Sequence, residues 1–186
     1  MSHLILIRHT RPDIPEGLCY GRTDVPYILS EFEDWVRHEP WPEKIHAYSS
    51  PLRRCLDLAN KAMPTAVCVD ERLIELDFGT WENRLWSDIP RHESDPWTAD
   101  YTRLSPPGGE NLLRMNARLE DFVLGLKRGD HTHVVFSHSG VIRLLLLAAY
   151  QETIDKYFDR HVDFGSTWVL PRIPEREDFA RLIRDV

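Results

Sequence analysis

The first apolar run of this chain ends in an arginine and a histidine that stand side by side. Residues 4–7 are uniformly apolar, and Arg8 and His9 follow them directly. A short run of this kind is typical of a buried strand in a parallel sheet. In open α/β sheets, ligands bind beyond the carboxyl ends of the strands. A cation beside an imidazole favours an anion site with a nucleophile, although a strand that simply runs into a polar loop is an equally good interpretation of this segment alone.

A second apolar run has the same organisation. Residues 134–136 lead into the polar turn Ser137-His138-Ser139-Gly140, and the mostly apolar residues 141–150 then predict a buried helix. A helix that begins directly after a turn has free backbone N–H groups, which attract an anion. Two histidines, His9 and His138, therefore follow two predicted strands, each beside a group that binds anions.

A third segment adds a pair of cations at the start of a predicted helix. Ser50 has the residue type of an N-cap, Pro51 suits the first helical position, and apolar residues then recur with helical spacing as far as Met63. Arg53 and Arg54 fall on the first turn, where a cation opposes the helix dipole unless an anion lies nearby. A solvent-exposed arginine pair is the plainer interpretation of this segment by itself.

The rest of the chain continues to alternate between helices and strands. Residues 67–69 and 167–170 predict strands, residues 110–127 predict a long amphipathic helix, and Ser30 with Glu33 predicts a capping box for a short helix. This alternation predicts an α/β fold, a three-layer α/β/α sandwich with a mostly parallel central sheet.

Length and composition limit the possible functions. We expect residues 1–186 to form one domain with an adequate core, and the tryptophan-rich segment 81–109 to act as a lid. A formal net charge of −7 argues against a nucleic-acid surface. Three cysteines, an odd number, fit unpaired thiols in a cytoplasmic protein. We recognise neither a signal peptide nor an apolar run long enough for a membrane span, so we expect no membrane partner.

Four segments together resemble the histidine phosphatase superfamily, which has the phosphoglycerate mutase-like fold. They occur in the family's order and span most of the chain. The matching segments are Arg8-His9-Thr10, Ser50-Pro51-Leu52-Arg53-Arg54-Cys55, the acidic stretch 73–83 that contains Glu75, and Ser137-His138-Ser139-Gly140-Val141-Ile142-Arg143. Thr10 and Asn83 depart from this pattern because the family has glycine there, and residues 11–13 lack the family's Thr and Asn.

A phosphomonoester hydrolase that uses no metal or other cofactor needs a nucleophile, fixed cations for the phosphoryl oxygens, and an acid for the leaving alkoxide. We assign the nucleophile to His9, which would become a phosphohistidine. We assign the general acid to Glu75, with Asp13 and Glu82 as the next candidates.

The expected phosphate clamp consists of two arginines and a second histidine. A planar guanidinium meets two phosphate oxygens at once, which suits Arg8 and Arg54. His138 is expected to face the same oxygens and to stabilise the developing charge. The backbone N–H groups around Ser139 and Gly140 would add to the binding.

Within the superfamily, segments 19–25 and 106–110 are most similar to the alpha-ribazole phosphatase branch. The resemblance implies a small phosphate ester as substrate, alpha-ribazole 5′-phosphate of cobalamin biosynthesis. Arg22 is expected to hold a ribose hydroxyl or a second anion. Flat aromatic faces for the base would come from Trp81, Trp86, Trp97 and Tyr101, although ordinary packing explains these residues equally well.

Other interpretations stay open. The alternative enzymes are a broad-specificity phosphatase and a phosphoglycerate mutase, which would use the same His9 but is generally longer between the second and last motifs. A catalytically silent phosphate-binding domain would not need both a nucleophile and an acid. His131 and His133 with His138 are a weak candidate for a metal site, because no cysteine or acidic cluster completes them. The tripeptides Asp77-Phe78-Gly79 and Asp163-Phe164-Gly165 match a kinase motif by chance, since the other kinase signatures are absent. The sequence does not indicate an oligomeric state.

Overall fold

The computed structural model describes residues 3–36, 41–42, 44–127 and 129–184. Within these residues the chain forms one five-stranded sheet in the order β3-β2-β4-β1-β5. The strands are β1 (His3–Arg8), β2 (Ile45–Ser49), β3 (Val67–Val69), β4 (Thr132–Ser137) and β5 (Thr167–Val169). The first four strands run parallel, and β5 pairs antiparallel with β1.

Helices cover both faces of this sheet. They are α1 (Leu29–Val36), α2 (Arg53–Ala62), α3 (Arg91–Ala99), α4 (Leu112–Leu124), α5 (Ser139–Tyr150) and α6 (Arg176–Leu182). Helices α1 and α2 pack on one face, and α4, α5 and α6 pack on the other. The predicted three-layer α/β/α sandwich with a mostly parallel sheet is therefore confirmed.

The apolar runs of β1 and β4 are continuous because both faces of each strand are buried. In β1, Leu4 and Leu6 pack with α4 to α6, whereas Ile7 packs with α1 and α2. In β4, Val135 packs with α4 to α6, and Val134 packs with α1 and α2. Each of these side chains is fully buried, which contributes about 1.5–3 kcal/mol per residue to folding.

Parallel pairing brings the carboxyl ends of three strands to one edge of the sheet. Arg8 is opposite Ser137, and the pairing continues one residue further, because the His9 N–H donates to the Ser137 carbonyl at 3.1 Å. On the other side of β4, the Ser50 N–H donates to the Phe136 carbonyl at 3.0 Å. His9, Ser50 and the residue after Ser137 thus lie at adjacent strand ends.

Helix α2 begins later than the sequence predicts. Its first residue is Arg53, so Ser50 and Pro51 precede the helix, and Leu52 occupies the N-cap position without a side-chain capping bond. The Ser50 hydroxyl accepts a long hydrogen bond of 3.4 Å from the Leu52 N–H and lies 2.7 Å from Nε2 of His138. The prediction of an N-cap at Ser50 is wrong because this hydroxyl is oriented toward the histidine.

Two other predicted helix starts also shift. Helix α1 begins at Leu29, so the predicted capping pair of Ser30 and Glu33 lies inside the helix. Helix α4 begins two residues later than predicted, because Asn111 caps it by accepting the Arg114 N–H at 3.0 Å.

The segment 81–109 packs on a small apolar cluster that it shares with Cys19 and Phe78. Trp81 is fully buried there with Cys19 and Ile89, and its indole N–H donates to Glu93 at 2.9 Å. The lid function expected of this segment concerns motion, so it stays a prediction. Among the residues described, no helix has the length and apolar character needed to cross a membrane.

Candidate active site

A cavity of about 420 Å³ opens at the shared edge of β1 and β4. Its polar side is lined by Arg8, His9, Glu75, Ser139 and Gly140. Its other walls are mostly aromatic or apolar. They include Leu18, Tyr20, Leu76, Phe78, Trp86, Trp97, Tyr157, Phe158 and Val162. The cavity therefore combines a polar end with a long apolar wall.

His9 is held as a neutral imidazole with one free ring nitrogen. The side chain is 2% exposed, and Nδ1 lies 2.7 Å from the Thr10 carbonyl oxygen. Because a carbonyl only accepts, Nδ1 carries the proton and Nε2 keeps its lone pair. Burial lowers the pKa of His9 well below its ordinary value, and the charges of Arg54 and Arg8 lower it further. The ring can therefore act as a nucleophile without first losing a proton.

Two arginines flank this histidine, and both are fixed by neutral acceptors. The fully buried Arg54 donates to the Gly21 and Thr23 carbonyls at 2.7 and 2.8 Å. Arg8 lines the cavity and donates to the Val162 carbonyl at 2.5 Å. Burial lowers the pKa of Arg8, yet a guanidinium keeps its charge at any physiological pH. These bonds to neutral carbonyls do not cancel the charge of either arginine. Arg8 lines the cavity, whereas the fully buried Arg54 does not, so the phosphate contact expected of Arg54 stays a prediction.

His138 lies beside His9 but does not line the cavity. The two ring centroids are 5.2 Å apart, and His138 is fully buried. Its Nε2 lies 2.7 Å from the Ser50 hydroxyl, and the thiol of Cys55 lies 3.5 Å from the same nitrogen. Burial and then the charge of Arg54 lower the pKa of His138 well below its ordinary value. The contact with phosphate expected of His138 would require its ring to leave Ser50.

Glu75 is fixed by the start of α5. Its carboxylate accepts the Gly140 N–H at 3.0 Å and the Leu76 N–H at 2.9 Å. A Cβ atom on Gly140 would come within 2.3 Å of Glu75 Oε1 and 2.7 Å of the Tyr157 hydroxyl. A larger residue here would have to displace the carboxylate, which lies directly against the backbone. The Gly140 N–H, expected to bind phosphate, instead binds Glu75.

Arg22 is engaged by carboxylates outside the cavity lining. Its guanidinium lies 3.6 Å from Asp77 and 3.5 Å from Glu110. The adjacent Glu82 accepts the backbone N–H groups of Arg22 at 2.8 Å and Thr23 at 2.6 Å. These bonds fix the loop whose carbonyls hold Arg54, so this structure does not place Arg22 where a substrate hydroxyl would be.

Trp81 is also absent from the cavity wall. It meets Trp86 and Trp97 edge-on, with ring centroids 6.2 and 5.5 Å away, and those two rings line the cavity instead. The stacking expected of Trp81 is incompatible with its complete burial. The ring centroids of Tyr101 and Phe158 are 4.7 Å apart, and Tyr101 is likewise not part of the cavity lining.

Arg143 and Tyr157 are among the cavity residues that escaped the sequence analysis as binding candidates. Arg143 lines the cavity, and its Nε donates to the Arg160 carbonyl at 2.8 Å. It is the last residue of the fourth family motif, so the motif could have identified it. Tyr157 follows a short 3₁₀ turn and had no sequence signal. Burial and the nearby Glu75 raise its pKa, so its hydroxyl stays protonated. His161 lies at the rim, paired with Asp163 at 2.7 Å.

The two departures from the family's glycines have different structural consequences. Asn83 adopts a left-handed backbone with φ of 64°, which asparagine tolerates better than most residues. Thr10 is buried and does not adopt a positive φ, so its backbone conformation does not require glycine. Both substitutions are compatible with the fold.

The three histidines of the candidate metal site do not meet. His131 and His133 lie near the amino end of β4 beside His46, with ring centroids 4.8 and 5.5 Å from it. His138 follows the opposite end of the strand, about 17 Å away at the usual rise per residue. Among the described residues, no group of three or more His, Cys, Asp and Glu side chains has the arrangement of a metal site.

Comparison with known proteins assigns the family. The sequence profile of the histidine phosphatase superfamily (branch 1) matches residues 4–184. The chain therefore belongs to this superfamily, whose members are phosphatases or mutases. A bifunctional protein of Mycobacterium tuberculosis is 32% identical over an alignment of 146 residues that covers 73% of this chain. The chain spans only 39% of that relative's length.

Two other similar proteins match over nearly their whole length. The adenosylcobalamin/alpha-ribazole phosphatase of Escherichia coli is 27% identical over 178 residues, covering 87% of this chain and 86% of that protein. The crystal structure of phosphoglycerate mutase from Thermus thermophilus superposes with a TM-score of 0.74 at 27% identity. That superposition covers 93% of this chain and 95% of the mutase. Both matches support the phosphoglycerate mutase-like fold.

The contact between Gly140 and Glu75 generates a prediction for Gly140→Ala. The added Cβ should displace the carboxylate, and kcat/KM for an alkyl phosphate should fall about 10²-fold or more, because an alkoxide needs a proton to leave. The loss for p-nitrophenyl phosphate should be much smaller, since nitrophenolate leaves without one. Steady-state kinetics on both substrates measures this, and Glu75→Gln should show the same selectivity.

Gly125→Ala is the matched control for Gly140→Ala, because a Cβ at Gly125 meets nothing closer than 3.4 Å. Equal losses on the two substrates for Gly140→Ala would show that Glu75 is not the acid.

The burial of His9 generates a prediction about pH. A base whose pKa is depressed stays neutral below the ordinary imidazole value of about 6.5. The NMR signals of the His9 and His138 rings should therefore show no protonation as the pH falls through 6.5, and the acid limb of kcat/KM should lie below that pH. A ¹⁵N-imidazole titration, assigned with His9→Gln and His138→Gln, checks this. A midpoint for His9 at or above about 6.5 would contradict it.

Proposed function

We propose that this protein is a phosphomonoester hydrolase that forms a phosphohistidine on His9. The observation that carries the proposal is the state of that ring. Its Nδ1 proton is held by the Thr10 carbonyl, and its Nε2 lone pair is left free in a ring that lines the cavity with Arg8. The charges of Arg54 and Arg8 act on this ring, although Arg54 is not part of the cavity lining. A domain that only binds phosphate would not need a deprotonated ring nitrogen together with a carboxyl group.

In the first step, Nε2 of His9 attacks the phosphorus atom and the ester oxygen leaves as an alcohol. Glu75 supplies the proton, because its carboxyl group lines the same cavity as His9. Arg8 and Arg54 stabilise the charge on the phosphoryl oxygens, and the loss of one such contact should cost on the order of 10²–10³ in rate. His138 stabilises the same oxygens after its ring leaves the Ser50 hydroxyl and forms a hydrogen bond with a phosphoryl oxygen.

In the second step, water attacks the phosphohistidine. The ionised Glu75 now accepts a proton from the water, which restores the acid for the next turnover. Inorganic phosphate then leaves the two arginines. The guanidinium groups supply the positive charge that other phosphatases obtain from metal ions, so we propose a reaction without a metal.

For the substrate we propose alpha-ribazole 5′-phosphate. The E. coli relative is named for this activity. The rings of Phe78, Trp86 and Trp97 line the wall that would meet the leaving group, and an aromatic base has the flat apolar surface that such a wall favours. The ribose would lie between this wall and His9.

A phosphoglycerate mutase is the second candidate. It is favoured by the T. thermophilus match and by Arg143, a cation in the cavity lining that could hold a carboxylate. A mutase would use the same phosphohistidine but return the phosphoryl group to an acceptor hydroxyl instead of water.

A trapping experiment tests the reaction. Quenching the enzyme during turnover of ³²P-labelled phosphate ester should yield an acid-labile, base-stable phosphoprotein that His9→Ala cannot form. EDTA should leave the rate unchanged, and vanadate should inhibit. Full activity in His9→Ala, or complete loss of activity in EDTA, would refute the mechanism.

A substrate panel tests the specificity. We expect kcat/KM for alpha-ribazole 5′-phosphate to exceed the values for nucleoside 5′-monophosphates and for 3-phosphoglycerate. Trp86→Ala should reduce the first value by about tenfold while leaving p-nitrophenyl phosphate turnover nearly unchanged, because it removes about 1–1.5 kcal/mol of ring contact. A preference for phosphoglycerate over every ring-bearing ester would favour the mutase.

A further inference from the structure

The tight turn 163–166 is fastened to the Arg8-His9 main chain. The Gly165 N–H donates to the His9 carbonyl at 3.0 Å, and the Arg8 N–H donates to the Ser166 carbonyl at 3.0 Å. Gly165 has φ of +69°, which favours glycine, and its carbonyl accepts the Trp35 indole N–H at 2.6 Å. The tripeptide Asp163-Phe164-Gly165, which the sequence left without a function, is thus fixed beside the candidate nucleophile.

This turn places the ring of Phe164 against two residues of the site at once. The Arg8 guanidinium carbon lies over the ring, 3.7 Å from the ring centroid, which is within cation–π distance. The His9 ring centroid lies 5.7 Å away with an interplanar angle of 50°. Phe164 is not part of the cavity lining, so it touches the clamp and the nucleophile without reaching a substrate.

Arg8 presents a physical problem that such a ring solves. It is a partly buried cation, one of whose donors goes to the Val162 carbonyl and whose Nε has no hydrogen-bond partner among the described residues. The charge of Glu75 and a hydrogen bond with Tyr20 help to stabilise the cation. A carboxylate in direct contact would also stabilise it but would compete with a substrate phosphate for its N–H groups. An aromatic face attracts the cation through its π-electrons and leaves the in-plane N–H donors free.

We propose that Phe164 is a positioning residue of the phosphate clamp. Its ring holds the Arg8 guanidinium in the plane that receives phosphate and shields His9 from water on the side away from the cavity. The inference rests on the proposed roles of Arg8 and His9, and it adds a residue to that site.

The shielding of His9 has a predictable consequence for pH. The charged and titratable groups that face His9 are Arg8 from its own strand, Arg54 from α2 and His138 at the start of α5. Desolvation is the largest cause of the low pKa of His9. A variant that admits water at Phe164 should raise that pKa toward its ordinary value, and the acid limb of kcat/KM should move to higher pH with it.

Fluorination of this ring provides a sharp test. Mono-, tri- and pentafluorinated phenylalanine at residue 164 keeps the ring's shape while progressively weakening its attraction for a cation. Calorimetry with inorganic phosphate should show affinity falling stepwise, about 3- to 30-fold across the series. Phe164→Leu should weaken phosphate binding similarly and shift the acid limb upward, and Phe164→Tyr should restore both properties.

Tyr150→Leu is the matched control, because Arg160 lies 4.9 Å from that ring and neither residue lines the cavity. Its phosphate affinity should equal that of the wild type. Phosphate binding that is indifferent to fluorination would overturn the role of Phe164 while leaving the proposed function intact. A wild-type protein that binds no phosphate would instead overturn both.

Discussion

The parallel pairing of β1 and β4 is the constraint on which the rest of the site depends. It sets Arg8 opposite Ser137 and carries the ladder one residue further to His9. A slip of one residue would turn every side chain of β1 to the other face of the sheet and separate the two histidines. Because Leu4 and Leu6 pack in one helical layer and Ile7 packs in the other, such a slip would exchange these side chains between two close-packed layers that fit different shapes. The register that builds the core therefore also fixes the distance between His9 and His138.

Positive charge is concentrated at this edge and held there by neutral groups. Carbonyl oxygens hold Arg54, and a carbonyl and an aromatic face hold Arg8. Neutral partners fix a cation while leaving its field largely uncancelled, whereas a carboxylate would neutralise it. Burial lowers the pKa of both neighbouring histidines and the same field lowers it further, so one arrangement attracts an anion and keeps the proposed nucleophile deprotonated.

The sequence predicts the fold and the strand ends well because these follow from local patterns. Apolar runs locate β1 and β4, and the polar residues after them identify the edge where a ligand binds. The sequence does not predict which of several similar side chains makes a given tertiary contact. Nothing local distinguishes the buried Trp81 from Trp86, which lines the cavity, and nothing local shows that the Ser50 hydroxyl faces His138 rather than capping a helix.

The surroundings of the other acidic residues explain why Glu75 is the best candidate for the acid in a protein with a net charge of −7. Glu110 is bound by Arg118, with 2.9 Å between Arg118 Nε and Glu110 Oε1, and Arg118 also donates to the Glu75 carbonyl at 3.4 Å. Although burial alone would raise the pKa of Glu82, hydrogen bonds from Thr23 and from nearby backbone N–H groups lower it, so Glu82 stays ionised in its loop. Asp13 is exposed and lies outside the cavity lining. Glu75 is the remaining candidate, and the arginine that binds Glu110 helps to fix its main chain. Glu82 thus stabilises the loop that holds Arg54, and Glu110 holds the arginine that fixes the Glu75 main chain. Because these carboxylates are bound elsewhere, they do not compete with phosphate for Arg8.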